Sequence, residues 1–311
     1  LDLTINPDFS QVEADRQVAN LTRFELFFPE RRQFFLENAD LFASFGYDEI
    51  RPFFSRRIGL GVPIVAGARV SGNLNKNLRL GLMDMQTDKL DETGLPSQNF
   101  AVLSLQQKVF SRSNIGLMFV NKESLDYNSL ADSLQTQYTK FNRNLGLEYN
   151  LASADNQYNG KVFMLKSFGP DSTYNGFAQG AHLEYSSRKW NWHVQQEYIS
   201  EDFTSEVGFV PRNNYIKLEG SVGHLFLPNS EKVVSHGPQY TGFYYFDPSM
   251  NSTDYVSILG YTVNFMDRSS LGVDVFNEYV QLLAPFDPTN TGKEKLAAGT
   301  RHHWNGVYLQ Y

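Results

Sequence analysis

Leu145-Gly146-Leu147-Glu148-Tyr149-Asn150-Leu151 places Leu145, Leu147, Tyr149 and Leu151 on one face and Gly146, Glu148 and Asn150 on the other. A repeat of two residues is the signature of a strand, with one apolar and one polar side. The same alternation recurs on both sides of it. In Ile216 to Phe226, Ile216, Leu218, Gly220, Val222 and Phe226 oppose Lys217, Glu219, Ser221 and Gly223. Leu259, Tyr261, Val263 and Phe265 oppose Gly260, Thr262 and Asn264. From Pro63 onward this period holds almost throughout, which makes the chain all-β. A soluble sandwich alternates in the same way, so the pattern alone does not choose between the two.

Turns and loops separate them. A two-residue turn at Ser187-Arg188 pairs Tyr185 with Trp190, Leu183 with Trp192, Ala181 with Val194, Glu184 with Asn191 and His182 with His193, keeping both faces consistent. Turns at Asp267-Arg268-Ser269, Ser111-Arg112-Ser113 and Leu74-Asn75-Lys76 pair Phe265 with Leu271, Val109 with Ile115, Leu105 with Phe119 and Val70 with Leu80. Tight connections fall near 74–76, 111–113, 152–156, 187–188, 229–237 and 267–269. Longer polar ones fall near 87–97, 123–139, 169–174, 201–211, 247–254 and 281–302. Short turns at one end and long loops at the other are expected of an antiparallel transmembrane β-barrel in a bacterial outer membrane. Thirteen strands are read between Pro63 and Tyr311, and Leu1–Ile5 makes about fourteen. A barrel that wide leaves a lumen. Further chain is expected beyond either end, and an exported chain has shed its leader before Leu1.

Composition agrees. No run of about 18 apolar residues exists, so no transmembrane helix is expected. The 25 Phe and 17 Tyr suit the aromatic girdles of a barrel. A net charge of −7 argues against nucleic acid, and the absence of cysteine excludes disulfides, thiolate metal sites and Cys nucleophiles.

The stretch Asn6 to Gly59 breaks the pattern. It holds seven arginines, ten phenylalanines and no lysine, with acidic residues beside almost every arginine. Guanidinium groups suit half-buried carboxylate pairs, whereas lysine suits open water. Strand parity makes this segment leave and rejoin the barrel at its external rim. The expected division is therefore a first barrel strand at 1–5, a plug or lid at 6–62 and barrel hairpins at 63–311.

Asn6-Pro7-Asp8-Phe9-Ser10-Gln11-Val12-Glu13-Ala14-Asp15, Arg23-Phe24-Glu25-Leu26-Phe27-Phe28-Pro29-Glu30-Arg31-Arg32, Phe34-Phe35-Leu36-Glu37, Ser55-Arg56-Arg57-Ile58-Gly59 and Glu206-Val207-Gly208-Phe209-Val210-Pro211-Arg212 together resemble the domain of unknown function 5916, across the whole chain. That resemblance implies a Gram-negative envelope protein with an outer-membrane barrel, usually behind a family 9-like carbohydrate-binding module. It implies location and architecture, and no activity.

An ion-pair network is expected among Glu13, Asp15, Arg16, Arg23, Glu25, Glu30, Arg31, Arg32, Glu37, Arg56 and Arg57, with Asp8 and Asp40 close by. So many arginines lower carboxylate pKa values and spoil a general acid, which favours a structural network over a catalytic dyad. Lumen-facing polar positions are His182, Glu184, His193, Glu197, Lys217 and Glu219. Two imidazoles with carboxylates suit a metal or a proton relay, but an ordinary polar wall is the simpler reading. His302-His303 at a loop–strand junction reads as a chance pair. The oxygen-rich loops from Phe246 to Asp254 and Phe286 to Asn290 lack EF-hand spacing and read as turns. No nucleophile elbow, phosphate loop or zincin motif occurs, so neither an enzyme nor a cofactor or metal is expected. The expected function is a plugged channel or transporter, with a structural, assembly or anchoring subunit as the alternative. Expected partners are outer-membrane lipid, other envelope proteins and an oligosaccharide.

Overall fold

The computed structural model describes residues 1–8, 15, 17, 18, 20, 24–289 and 291–311. Among the described residues, fourteen strands form one antiparallel sheet in which each strand pairs with its neighbours in sequence. They are β1 (Asp2–Ile5), β2 (Ile64–Asn73), β3 (Leu78–Thr87), β4 (Gln98–Val109), β5 (Ser113–Ser124), β6 (Phe141–Ala152) and β7 (Tyr158–Phe168). The remaining seven are β8 (Phe177–Ser186), β9 (Trp190–Ile199), β10 (Tyr215–His224), β11 (Val233–Phe246), β12 (Ser252–Phe265), β13 (Ser270–Gln281) and β14 (Arg301–Gln310). Among the described residues, β1 pairs only with β2 and β14 only with β13, so the sheet is not closed. No described helix is long and apolar enough to cross a membrane.

Every hairpin register differs from the expected one by two residues. Tyr185 pairs with Trp192 rather than Trp190, and Leu183 with Val194 rather than Trp192. Ala181 faces Gln196, Glu184 faces His193, and His182 faces Gln195 rather than His193. The cause is local. The Ser187 N–H donates to the Trp190 carbonyl (2.8 Å), and the Trp190 N–H donates to the Ser187 hydroxyl (3.1 Å). The two-residue turn is thus Arg188-Lys189, one residue later than expected. Likewise Val263 pairs with Leu271, Val109 with Ser113, Leu105 with Leu117 and Val70 with Leu82. A slip of two preserves the side-chain period, so each residue keeps its face. The loop alternation also fails at one point: residues 225–232 link β10 to β11, but 247–251 form a tight turn between β11 and β12.

The two faces differ. The packed face carries a core that mixes sheet residues Met83, Met85, Phe100, Val102, Met118, Val120, Phe163 and Leu165 with Phe35, Leu41, Phe42, Phe45, Ile50, Phe53 and Ile58 from the connection between β1 and β2. Glycines make the close approach possible. A Cβ on Gly146 would lie 2.5 Å from Phe45 Cζ, and one on Gly81 would lie 2.7 Å from Phe42 Cζ. The open face is apolar yet exposed: Leu147, Val162, Met164, Val194 and Leu259 are each more than half exposed. Aromatic rings cluster toward both ends of that face. Tyr158, Tyr185 and Trp192 meet near the short turns. Phe177 packs on Tyr198, and Tyr244, Tyr255 and Tyr279 stack in sequence, nearer the long loops.

Candidate functional site

The Arg/Phe-rich segment is tied internally and then to the sheet. Arg32 grips Glu30 with two prongs, Nε to Oε1 at 2.9 Å and Nη2 to Oε2 at 2.7 Å. The same guanidinium donates to the Ser55 carbonyl (2.6 Å) and the Ile58 carbonyl (2.7 Å). Burial pulls the Glu30 carboxyl upward, but the Arg32 guanidinium and the Ser55 hydroxyl outweigh it and hold the group below its ordinary value. Arg56 pairs with Asp15 and lowers its pKa, and Arg31 lies 3.8 Å from the same carboxylate. Arg57 joins Glu25 at 2.6 Å and donates to the Gly208 carbonyl at 3.1 Å. Glu37 meets Arg69 of β2, whose side chain is 1% exposed and also holds Asp2. Glu13, Arg16 and Arg23 lie outside the described residues.

Three of these anchors do not belong to the expected network. Arg69 is one, Arg79 pairing with Asp40 at 2.7 Å is another, and Arg212 pairing with Asp254 at 3.0 Å is the third. Each is an arginine on a strand or in a long loop. An arginine at a packed-face strand position such as Arg69 is the signal that identifies the first two.

Residues 44–51 form the roof of a cavity of about 580 Å³ whose floor is the packed face of β7 to β10. Its lining includes Tyr47, Lys161, His182, Glu197, Lys217 and Glu219. The strands bring the expected polar positions to one face but not all into contact. The His182 and His193 rings stand 6.4 Å apart, diagonal rather than opposite. His182 Nδ1 is 3.3 Å from the Tyr47 hydroxyl, and burial, with Glu197 and Glu219, raises the Tyr47 phenol. His193 lies 3.9 Å from Glu219. Glu197 is nearly inaccessible and fully engaged: Tyr215 donates at 2.9 Å, Gln195 at 2.6 Å and Lys217 at 3.4 Å. Lys217 also meets Glu219 at 2.9 Å. Glu184 shares the face but is exposed and does not line the cavity.

Two further groups clamp the roof. Lys161 Nζ donates to the carbonyls of Ser44 (2.7 Å) and Gly46 (2.8 Å) and lies 3.4 Å from Glu148. Glu148 in turn accepts from the Gly46 N–H at 3.2 Å. Loop 200–214 adds a second latch, since Arg51 and Phe209 form a short β-bridge and Glu206 accepts from both Lys122 and Thr139. No group of three or more His, Asp or Glu with metal-binding geometry occurs among the described residues. Asp247 and Asp287 spend their oxygens on Asn251 and on Thr289 and Gly292, as turn residues do.

A family model described as a domain of unknown function (DUF5916) matches residues 1–78 and 62–293. No curated protein and no solved structure matches.

Proposed function

We propose, from the premise that the chain belongs to the DUF5916 family, that it is an outer-membrane β-barrel whose sheet closes around residues 6–62 as a plug. On this reading it passes or imports a solute when the plug moves. The observation that carries the proposal is the contrast between the two faces. The outward one is aliphatic and exposed between two aromatic zones, as a surface bathed in lipid requires. The inward one buries Arg69, Asn142, Asn144, Glu148 and Glu197 beside its apolar core, a charged and amide content that the interior of a barrel carries and a sandwich core seldom does. An even strand number lets β1 and β14 meet antiparallel.

A second reading, an anchoring or assembly subunit of an envelope complex, draws on the open edges of β1 and β14. Exposed strand edges recruit other strands. An oligosaccharide as solute rests on the resemblance alone.

Planar-bilayer conductance of the full chain and of a variant lacking residues 6–60 separates the two. A deletion variant that still migrates heat-modifiably and opens a steady conductance supports the plugged channel. A heat-modifiable deletion variant that conducts nothing overturns it. A full chain that stays in buffer without detergent overturns the barrel.

A further inference from the structure

The two ends of the sheet carry opposite charge. The connections from β2 to β3, β4 to β5, β6 to β7, β8 to β9, β10 to β11 and β12 to β13 all lie at one end. They hold six cations, Lys76, Arg112, Arg188, Lys189, Lys232 and Arg268, against three carboxylates, Asp155, Glu231 and Asp267. The connections at the other end, from β3 to β4 through β13 to β14, hold five cations against twelve carboxylates. All six short-turn cations are exposed, and none forms an ion pair among the described residues. Elsewhere the cations are spent. Arg32 and Arg56 in the Arg/Phe-rich segment, and Arg69, Lys122, Lys161 and Lys217 on the packed face, each meet a carboxylate.

Aromatic rings occupy the strand ends that carry these turns, on the open face. Tyr158, Tyr185 and Trp192 meet at 4.9 and 5.8 Å between ring centroids. Trp190, His224, Phe226 and His236 form a second run, at 4.3, 4.5 and 5.2 Å. Trp190 follows Lys189 in the chain, so an indole and an ammonium leave the backbone one residue apart. The open face thus passes from aliphatic residues to rings and then to cations. That is the order of a membrane boundary, from acyl chains through the interface to the headgroups. Lys and Arg hold their charge at headgroup depth by laying their stems along apolar surface.

We infer that the short-turn end is a binding surface for anionic phospholipid headgroups. The inference rests on the outer-membrane reading above and adds the class of lipid. Headgroups with a net negative charge supply what six unpaired cations lack. Their spread favours a lipid surface over a compact anion. The cations are distributed over five of the six turns along the rim, not gathered around one cavity. A layer of headgroups offers phosphates along the whole rim, whereas a single small anion meets one turn. An acidic protein accounts for the turns but leaves the rings beside them unexplained. Each Lys or Arg held near an anionic lipid surface adds an attraction that salt screens. The carboxylate-rich end has no such attraction.

The test is quenching of tryptophan fluorescence by brominated lipid in vesicles that hold the full chain. Trp190 and Trp192 report on the short-turn end, and Trp304→Phe removes the third indole from the signal. Brominated phosphatidylglycerol is compared with brominated phosphatidylcholine, each diluted in unbrominated phosphatidylcholine. A preference for the glycerol lipid that salt weakens, and that falls roughly fivefold in Arg188→Gln/Lys189→Gln, supports the inference. Lys293→Gln/Lys295→Gln, at the other end, is expected to leave the preference intact. Equal quenching by the two lipids in wild type overturns the inference, as does a preference that Arg188→Gln/Lys189→Gln leaves unchanged. Retention of a soluble polyanion such as heparin without any lipid preference overturns it too. A chain that stays in buffer without detergent, or whose tryptophans neither lipid quenches, overturns the outer-membrane reading and the inference with it.

Discussion

Arg32 and Glu30 are joined by two parallel hydrogen bonds, and the same guanidinium closes on the carbonyls of Ser55 and Ile58. One side chain therefore holds the two halves of the Arg/Phe-rich segment together. Both partners are nearly out of solvent, at 13% and 12% side-chain exposure.

Arg32→Ala is expected to weaken the packing of residues 30–58 by roughly 3 kcal/mol, because it leaves a mostly buried carboxylate unpaired. Arg32→Lys recovers only part of this, since an ammonium cannot span both oxygens and both carbonyls. Hydrogen exchange at the Phe35 and Ile58 amides, which donate to Arg32 and Ser55 carbonyls, is the measurement. Equal protection in the lysine variant and wild type overturns the bidentate role.

Acid is expected to loosen the segment. The Glu30, Asp15 and Asp40 carboxyls all sit below their ordinary values in the folded chain. Their stabilisation is thus complete above the unfolded carboxylate range of about 4 and is lost as pH falls through the lowered folded values. Protease cleavage within the segment is expected to rise on acidification below that range, and Glu30→Gln is expected to flatten the dependence. A dependence centred near neutral pH points to histidine instead.

Gly146→Ala is expected to cost about 1–3 kcal/mol, because the new methyl meets Phe45 and Leu165 at 2.5 and 2.6 Å in a packed interior. Gly272→Ala, whose nearest neighbour is 3.7 Å away, is expected to be close to neutral. Chemical denaturation of the two variants side by side checks the contrast.

Strand number and face were legible in the sequence because both depend on a period of two, which survives small errors. Register was not. The turn between Ser186 and Asn191 offers two adjacent placements that present the same faces, and the Ser187 hydroxyl selects one of them. The tight turn at 247–251 was hidden for a related reason: Asp247 and Asn251 close it through their own side chains, whereas their composition reads as a long polar loop. The ion pairs Glu30–Arg32 and Arg57–Glu25 were suggested by composition. Their anchors on the sheet were not, because Arg69, Lys122 and Lys161 reach Glu37, Glu206 and Ser44 across 32, 84 and 117 residues of chain. Lys161 bonds backbone carbonyls, which leave no trace in residue identity.

That clamp gives the sharpest test of how the roof over the cavity is held. Lys161 reaches the Ser44 and Gly46 carbonyls and the Glu148 carboxylate, and Glu148 is 4% exposed. Lys161→Met removes the ammonium and leaves Glu148 with the Gly46 and Asn150 amide donors, too few for a buried charge. The expected result is faster proteolysis between Ser44 and Arg51 and, in bilayers, a measurable leak. Adding Glu148→Gln removes the stranded charge, so the double variant is expected to leak less than Lys161→Met alone, with a coupling of about 1–3 kcal/mol between the two sites. If the double variant is the worse of the two, Lys161 and Glu148 hold the roof independently and the clamp is two contacts rather than one.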